Sequence, residues 1–417
     1  MKNALITLTL CAGTTAIAGD NIVVTYQRIP NLAASADDMS PDGRFIVGNV
    51  DTNQDFFPDG TYVWDRFTDQ FTVLPPEGMT ARAVSDDGSV VLGQMADPAD
   101  PDPVLGVVAA RWTQPTGWQS LGYLPNALEC PSRSNGYELS ADGEVAVGLS
   151  WDGCSGRGFV WTQATGMLEL DALANGGNRA SIVSADGTLV AGFAQGVGSR
   201  TPATWDATTL MGETFDPIGA TSGEYFGMTE DGSLLIGTAY MGGGDGWFDA
   251  IKWSEGSEME IIADGSIQGG WAGKAMDIAD NGTIVGFDSQ GLNRRGWIQH
   301  EGAGPIVSLK TWAIAHGAVI PSGVQLEVAQ AITNDGTVIA GHGVGVSSFE
   351  GWILTITETC GDADIAEPFG TLDFSDVVAF LTAFGAMDAA ADLAEPTGVF
   401  DFSDVVAFLG AFGAGCP

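Results

Sequence analysis

The chemistry-bearing residues of this 417-residue chain fall into two groups. The first is a duplicated acidic stretch near the C-terminus. Ala363-Asp364-Ile365-Ala366-Glu367-Pro368-Phe369-Gly370-Thr371-Leu372-Asp373-Phe374-Ser375-Asp376 returns 28 residues later as Ala391-Asp392-Leu393-Ala394-Glu395-Pro396-Thr397-Gly398-Val399-Phe400-Asp401-Phe402-Ser403-Asp404. Each copy runs into Val, Phe and Leu at i, i+3, i+4 and i+7, over residues 377–384 and 405–412, which is the spacing of an amphipathic helix. An acidic loop with a central Gly and a closing Asp at a helix entry reads as a calcium loop, since the ion takes about six to eight oxygens. The same acids have a second reading as helix N-caps, in which Asp373 with Ser375 and Asp401 with Ser403 satisfy first-turn amides.

The second group is Asp37, Asp38, Glu138 and Asp277, four carboxylates expected on or beside strands that crowd a central axis. Paired carboxylates are the equipment of glycoside hydrolysis. In a chain with Asp+Glu 53 such coincidences are expected, and they read first as solvation of a central channel. Arginines converging on a substrate carboxylate would need more than Arg82 and Arg179, the two expected on inner strands. Only His300, His316 and His342 are present, none in a zinc-protease spacing, and there is no nucleophile elbow, phosphate loop or kinase signature. Asp51-Thr52-Asn53-Gln54-Asp55 lacks the Gly that a calcium loop needs next and reads as a solvated turn. The expectation is a protein without catalytic residues.

A repeat positions the second group. A polar turn followed by a β-branched run and a closing Gly occurs seven times. The copies are Ser40-Pro41-Asp42-Gly43 closing at Gly48, Ser85-Asp86-Asp87-Gly88 at Gly93, Ser140-Ala141-Asp142-Gly143 at Gly148, Ser184-Ala185-Asp186-Gly187 at Gly192, Thr229-Glu230-Asp231-Gly232 at Gly237, Asp280-Asn281-Gly282 at Gly286, and Thr333-Asn334-Asp335-Gly336 at Gly341. Successive turn glycines lie 45, 55, 44, 45, 50 and 54 residues apart, the period of a four-stranded propeller blade. Asp-Gly is tight-hairpin chemistry, with Gly at positive φ and Asp capping nearby amides. Third strands end in Trp64, Trp112, Trp161, Trp205 or Trp253. Ala36, Ala81, Gly136, Ala180, Ala275 and Ala329 supply the small side chains that crowded inner strands tolerate.

The seventh copy ends after its third strand, with no fourth before Cys360. Tyr26-Gln27-Arg28-Ile29-Pro30 is like the fourth strands ending Phe71-Thr72-Val73-Leu74-Pro75 and Leu121-Gly122-Tyr123-Leu124-Pro125. Residues 22–29 are therefore expected to complete the last blade, close the ring and remove its edges. The loops opposite the Asp-Gly turns carry Trp151, Tyr240, Trp247, Trp271 and Phe349, which either cap the blades or contact a glycan or protein.

These turns resemble the HAF-type extracellular repeats of secreted bacterial proteins over residues 20–357, a resemblance that implies a propeller outside the cell. The N-terminus agrees: Lys2, an apolar run over residues 4–12 and Ala16-Ile17-Ala18 have the form of a signal peptide spanning 1–18. No later stretch approaches the ~20 apolar residues of a membrane span, so no transmembrane segment is expected. Without Cys11 four cysteines remain, and an even number in an exported chain favours two disulfides. Of three connectivities the nearest-neighbour one, Cys130 with Cys154 and Cys360 with Cys416, is expected. The formal charge of -38 repels phosphate backbones, which excludes nucleic acid as a partner.

The duplicated tail, with its flanking cysteines, resembles a GC-type bacterial dockerin. By that resemblance Asp364, Asp373 and Asp376, with Asp392, Asp401 and Asp404, take Ca²⁺-ligand positions, and the tail docks a cohesin-like or other cell-surface protein. Ala366 and Ala394 at the third loop position, and Pro368 and Pro396 at the fifth, leave two side-chain ligands missing from each loop. The fold expected is an all-β, seven-bladed β-propeller closed by its N-terminal strand, over residues 19–357, followed by a small α-helical dockerin-like domain of paired EF-hand-like halves over 358–417. The function expected is a secreted binding or scaffold module, displayed at the cell surface through the tail. The alternative is an extracellular carbohydrate-active enzyme carrying the same tag.

Overall fold

The structure, a computed structural model, describes residues 22–416 apart from 32, 54–58, 100–105, 126–131, 152–154, 174–175, 196–199, 216–221, 241–247, 264–271, 291–292, 301–303 and 346–347. The expected signal peptide, the Cys130–Cys154 pair, Asp55, Trp247 and Trp271 lie outside the described residues.

The turns explain the repeat. In six copies the Ser or Thr hydroxyl donates to the Asp carboxylate two residues on, at 2.6–2.9 Å. That carboxylate accepts the amide two residues further, at 2.9–3.0 Å. The hydroxyl in turn accepts the amide of the first residue of the next strand, as Val145 N does to Ser140 at 3.0 Å. These hydrogen bonds hold the carboxyls of Asp87, Asp142, Asp186 and Asp231 below the usual carboxylate range. Gly143 completes its turn at φ +68°, where a Cβ would be strained. In the sixth copy Asn281 replaces Asp and accepts from Thr283 N at 2.9 Å.

The closing Gly has a separate cause. The inner strand of blade 3, Arg133–Leu139, slips register between Gly136 and Glu138, so that Tyr137 is bulged out of the ladder. The slip recurs at Arg82, Ser181, Phe226, Met276 and Gln330. The bulge presses the inner-strand backbone onto the second strand. A Cβ on Gly148 would lie 2.0 Å from Asn135 O, and one on Gly93 1.8 Å from Thr80 O. Only glycine fits there.

Seven four-stranded antiparallel sheets follow in chain order, and in the last the N-terminal strand Ile22–Arg28 lies beside Phe349–Glu358. The expected ring closure is present. Ile29 N donates to Gly351 O at 3.0 Å, the Tyr26 hydroxyl to Glu350 at 2.7 Å, and Arg28 pairs with the same buried carboxylate at 3.3 Å. The core sits between blades. Ala83, Val90 and Leu92 of the second pack with Leu139, Phe159 and Trp161 of the third. Trp64, Trp205, Trp297 and Trp352 are fully buried. One helix, α1 (Leu309–Ala315), interrupts the strands with Leu309, Trp312 and Ala313 buried.

By contacts the chain divides into Tyr26–Lys310 with Ile320–Thr355, and Met1–Thr25 with Thr311–Val319 and Ile356–Pro417. In the tail, α2 (Phe374–Ala386) and α3 (Phe402–Ala414) start three residues earlier than their apolar periodicity implies. The Asp373 and Asp401 capping boxes set those starts. Phe380 stacks on Phe408 at 4.2 Å with Ala363 and Ala391 buried beside them, a core as duplicated as the sequence. Cys360 and Cys416 form the expected disulfide across the ends of this module. Among the described residues no helix is long and apolar enough to cross a membrane.

Candidate functional site: the axial pocket

The bulges turn one side chain of the inner strand toward the axis in blades 2 to 7, and Asp37 holds the matching place just before the short inner strand of blade 1. Asp37, Arg82, Tyr137, Ser181, Phe226, Met276 and Gln330 line a cavity of about 390 Å³. The next position along holds Asp38, Glu138 and Asp277 in blades 1, 3 and 6, so with Asp37 all four carboxylates expected at the axis meet in one pocket.

Their oxygens are occupied by backbone. Asp38 Oδ2 accepts Val84 N at 2.8 Å and Asp277 Oδ2 accepts Ile332 N at 2.7 Å, equivalent amides of the neighbouring blades. Asp277 Oδ1 takes Ile278 N and Glu138 Oε1 takes Leu139 N, at 2.8 and 2.9 Å. Each acid faces the channel yet is ringed by strands. Burial raises Asp277 to about 7 and, with the charges of Asp277 and Asp37 adding to it, Asp38 to about 8. Glu138 is pushed well up by burial and by Asp38. The fourth expected acid, Asp37, differs: it pairs with Arg82 at 3.3 Å and accepts from Ser35 and Asn49.

At the turn end, the second residues of the turns hydrogen-bond around the axis. Asp86 N donates to Ala141 O, Ala141 N to Ala185 O, Asp280 N to Asn334 O and Asn334 N to Pro41 O, at 2.9–3.1 Å. At the loop end stands Glu224, which sequence reasoning missed. Its carboxylate, buried at 2% exposure, accepts from Arg179 Nε at 2.8 Å, Ser181 Oγ at 2.6 Å and Arg200 Nη1 at 3.2 Å. Arg133 also begins an inner strand, making three arginines there instead of the expected two. His342 is half-buried, and desolvation lowers its pKa. His316 Nδ1 lies 2.8 Å from Trp312 O. On the loop face Trp151 and Phe349 are exposed and Tyr240 packs on Phe248 at 5.4 Å.

In the tail the six aspartates act mainly as amide acceptors. Asp376 Oδ1 accepts from Ile365 N and Ala366 N and its Oδ2 from Asp373 N, all at 2.9 Å. Asp404 repeats this with Leu393, Ala394 and Asp401. Asp373 and Asp401 cap Ser375 N and Ser403 N. Asp364 and Asp392 each accept a glycine amide on Oδ2, from Gly370 or Gly398, at 2.6 Å. Their Oδ1 atoms are buried without a hydrogen-bond partner. Among the described residues no three acidic, His or Cys groups converge as a metal-holding cluster. The orphaned oxygens thus fit a cation as one ligand per loop, whereas both oxygens of Asp376 and Asp404 are already used by amides.

No family model and no curated protein matches the chain. Solved structures do resemble it. TolB from Acinetobacter baumannii is 14% identical with a TM-score of 0.42, covering 75% of this chain and 80% of its own. The oligogalacturonate lyase from Vibrio parahaemolyticus is 12% identical with a TM-score of 0.49, covering 81% and 98%. The β-propeller domain of the Trilobed protease from Pyrococcus furiosus is 8% identical with a TM-score of 0.46, covering 78% and 96%. These are likenesses of fold, and no activity follows from them.

Proposed function

We propose that the chain is an exported, non-catalytic binding protein whose propeller takes its ligand in the axial pocket from the loop side, and whose dockerin-like tail attaches it to a surface partner. The observation that carries this reading is the use of the axial carboxylates. Asp38 and Asp277 are committed to amides of adjacent blades, which makes them structural, while the bulged side chains beside them line a cavity. Export rests on the signal-peptide-like N-terminus and the Cys360–Cys416 disulfide.

The tail presents the same apolar stripe twice. Phe374, Val378 and Leu381 on α2, and Phe402, Val406 and Leu409 on α3, are 48–77% exposed. Paired exposed stripes of that kind suit a cohesin-like or other cell-surface protein. Calcium belongs to the proposal through the orphaned Asp364 and Asp392 oxygens, with the amide-bound acids organising the loops.

The test is capture. The chain from Gly19 onward, immobilised and passed over cell-surface extract, retains a ligand that a pocket-filling Ser181→Trp variant does not. Equal retention by both contradicts the reading. A second reading, carbohydrate-active enzyme, is favoured by one observation: Asp277 and Asp38, raised to about 7 and about 8, hold protons near neutrality as a general acid does. Release of shorter sugars by the wild type and not by Asp277→Asn would establish it.

A further inference from the structure

The chain carries Lys+Arg 15 against Asp+Glu 53, yet Arg179, Arg200, Lys274 and Arg294 gather at the loop end of blades 4 to 6. The topology puts them there: Arg179 and Lys274 lie near the starts of inner strands, and Arg200 and Arg294 near the starts of third strands, all at the ends away from the Asp-Gly turns. The one carboxylate among them, Glu224, is consumed by Arg179, Arg200 and Ser181. Lys274 Nζ instead faces rings, 5.6 Å from the Phe226 centroid and 5.7 Å from Phe287. Arg294 lies 5.6 Å from the Phe287 centroid. Among the described residues neither has a carboxylate within 4.0 Å, although Glu327 lies within electrostatic range of Arg294. The mouth therefore holds a surplus of positive charge, in part desolvated, in a molecule of charge -38. A half-buried ammonium on ring faces has only the longer-range attraction of Glu224, already bonded to Arg179, Arg200 and Ser181, to offset its burial.

The rest of the pocket limits what that anion belongs to. Tyr137, Ser181 and Gln330 offer neutral hydroxyl and amide groups just inside the mouth. Farther in, burial opposes ionisation of Asp38, Glu138 and Asp277 and Glu230 adds a carboxylate, so a chain charged along its length finds no counter-charge there. The occupant that fits has one anionic group at its outer end and hydroxyls at its inner end. Resting on the binding-module reading above, we propose that the mouth recognises an acidic sugar, with its carboxylate at Lys274 and Arg294 and its hydroxyls on the polar wall.

The experiment is calorimetric titration of the chain from Gly19 onward with cellobiouronic acid, neutral cellobiose, sodium sulfate and an acidic tetrapeptide. The acidic disaccharide is expected to bind and the neutral one not to. Lys274→Met should raise its Kd about tenfold or more, exposed Arg294→Gln should raise it less, and added salt should weaken it. Equal binding of the two disaccharides, tighter binding of sulfate or peptide, no heat with the acidic disaccharide, or unchanged affinity in both variants overturns the proposal. Urea melts of the variants confirm that they fold. Failure here with capture still lost in Ser181→Trp removes the acidic sugar and leaves the axial binding module standing.

Discussion

Asp277 and the turn aspartates place carboxylates under opposite influences, so they act on stability in opposite directions. The turn acids are held below their usual pKa by hydrogen bonds, so their contribution is present above about pH 4 and is lost as pH falls through the lowered values. Asp277 is raised to about 7, so its contribution is complete below about pH 4 and is lost as pH rises through about 7. Asp277→Asn should therefore flatten the decline in stability between about pH 4 and 7 by up to about 1.4 kcal/mol per pH unit, read by urea melts of both proteins. Parallel decline in both would refute the assignment. Aligning the repeats by their turns sufficed to place Asp38, Glu138 and Asp277 at the axis. Glu224 escaped because Tyr225 stands where most blades have a small residue, which hid blade 5 from the alignment. With that blade in register, Arg179, Glu224 and Lys274 occupy one repeat position in consecutive blades.

The turn and the strand that follows were legible because each hydrogen bond of Ser-x-Asp-Gly is local. The bulge was not, since it exists only once two strands pair, yet its trace was in plain view as the Gly that closes every copy. Gly148→Ala should cost about 2–4 kcal/mol, because its Cβ would sit 2.0 Å from Asn135 O and the bulge that presents Tyr137 would have to open. A change below about 0.5 kcal/mol in chemical denaturation would show that the bulge yields freely. Helix α1 was missed because seven residues give too short a period to see. The early starts of α2 and α3 were missed because Phe374 and Phe402 are 77% and 75% exposed and add nothing to an apolar stripe.

Across the whole molecule, closure decides whether the pocket exists at all. Seven sheets bury their faces only against neighbours, so a missing fourth strand in the last blade would expose the edge of Phe349–Glu358 and leave Glu350 without Tyr26 and Arg28. The start of the chain could be read as a fourth strand because Ile29-Pro30 repeats the ending of its counterparts; the unit formed by the C-terminal tail could be read because duplication doubles every signal. The loops carrying Cys130, Trp247 and Trp271 bear no repeat, so sequence placed them on a face and went no further. The direct measurement is calorimetric melting of the chain from Gly19 beside one lacking residues 19–28. Closure predicts that the truncated chain loses its cooperative transition or melts at least about 10 °C lower. An unchanged transition would mean that the ring closes without this strand, contradicting the account.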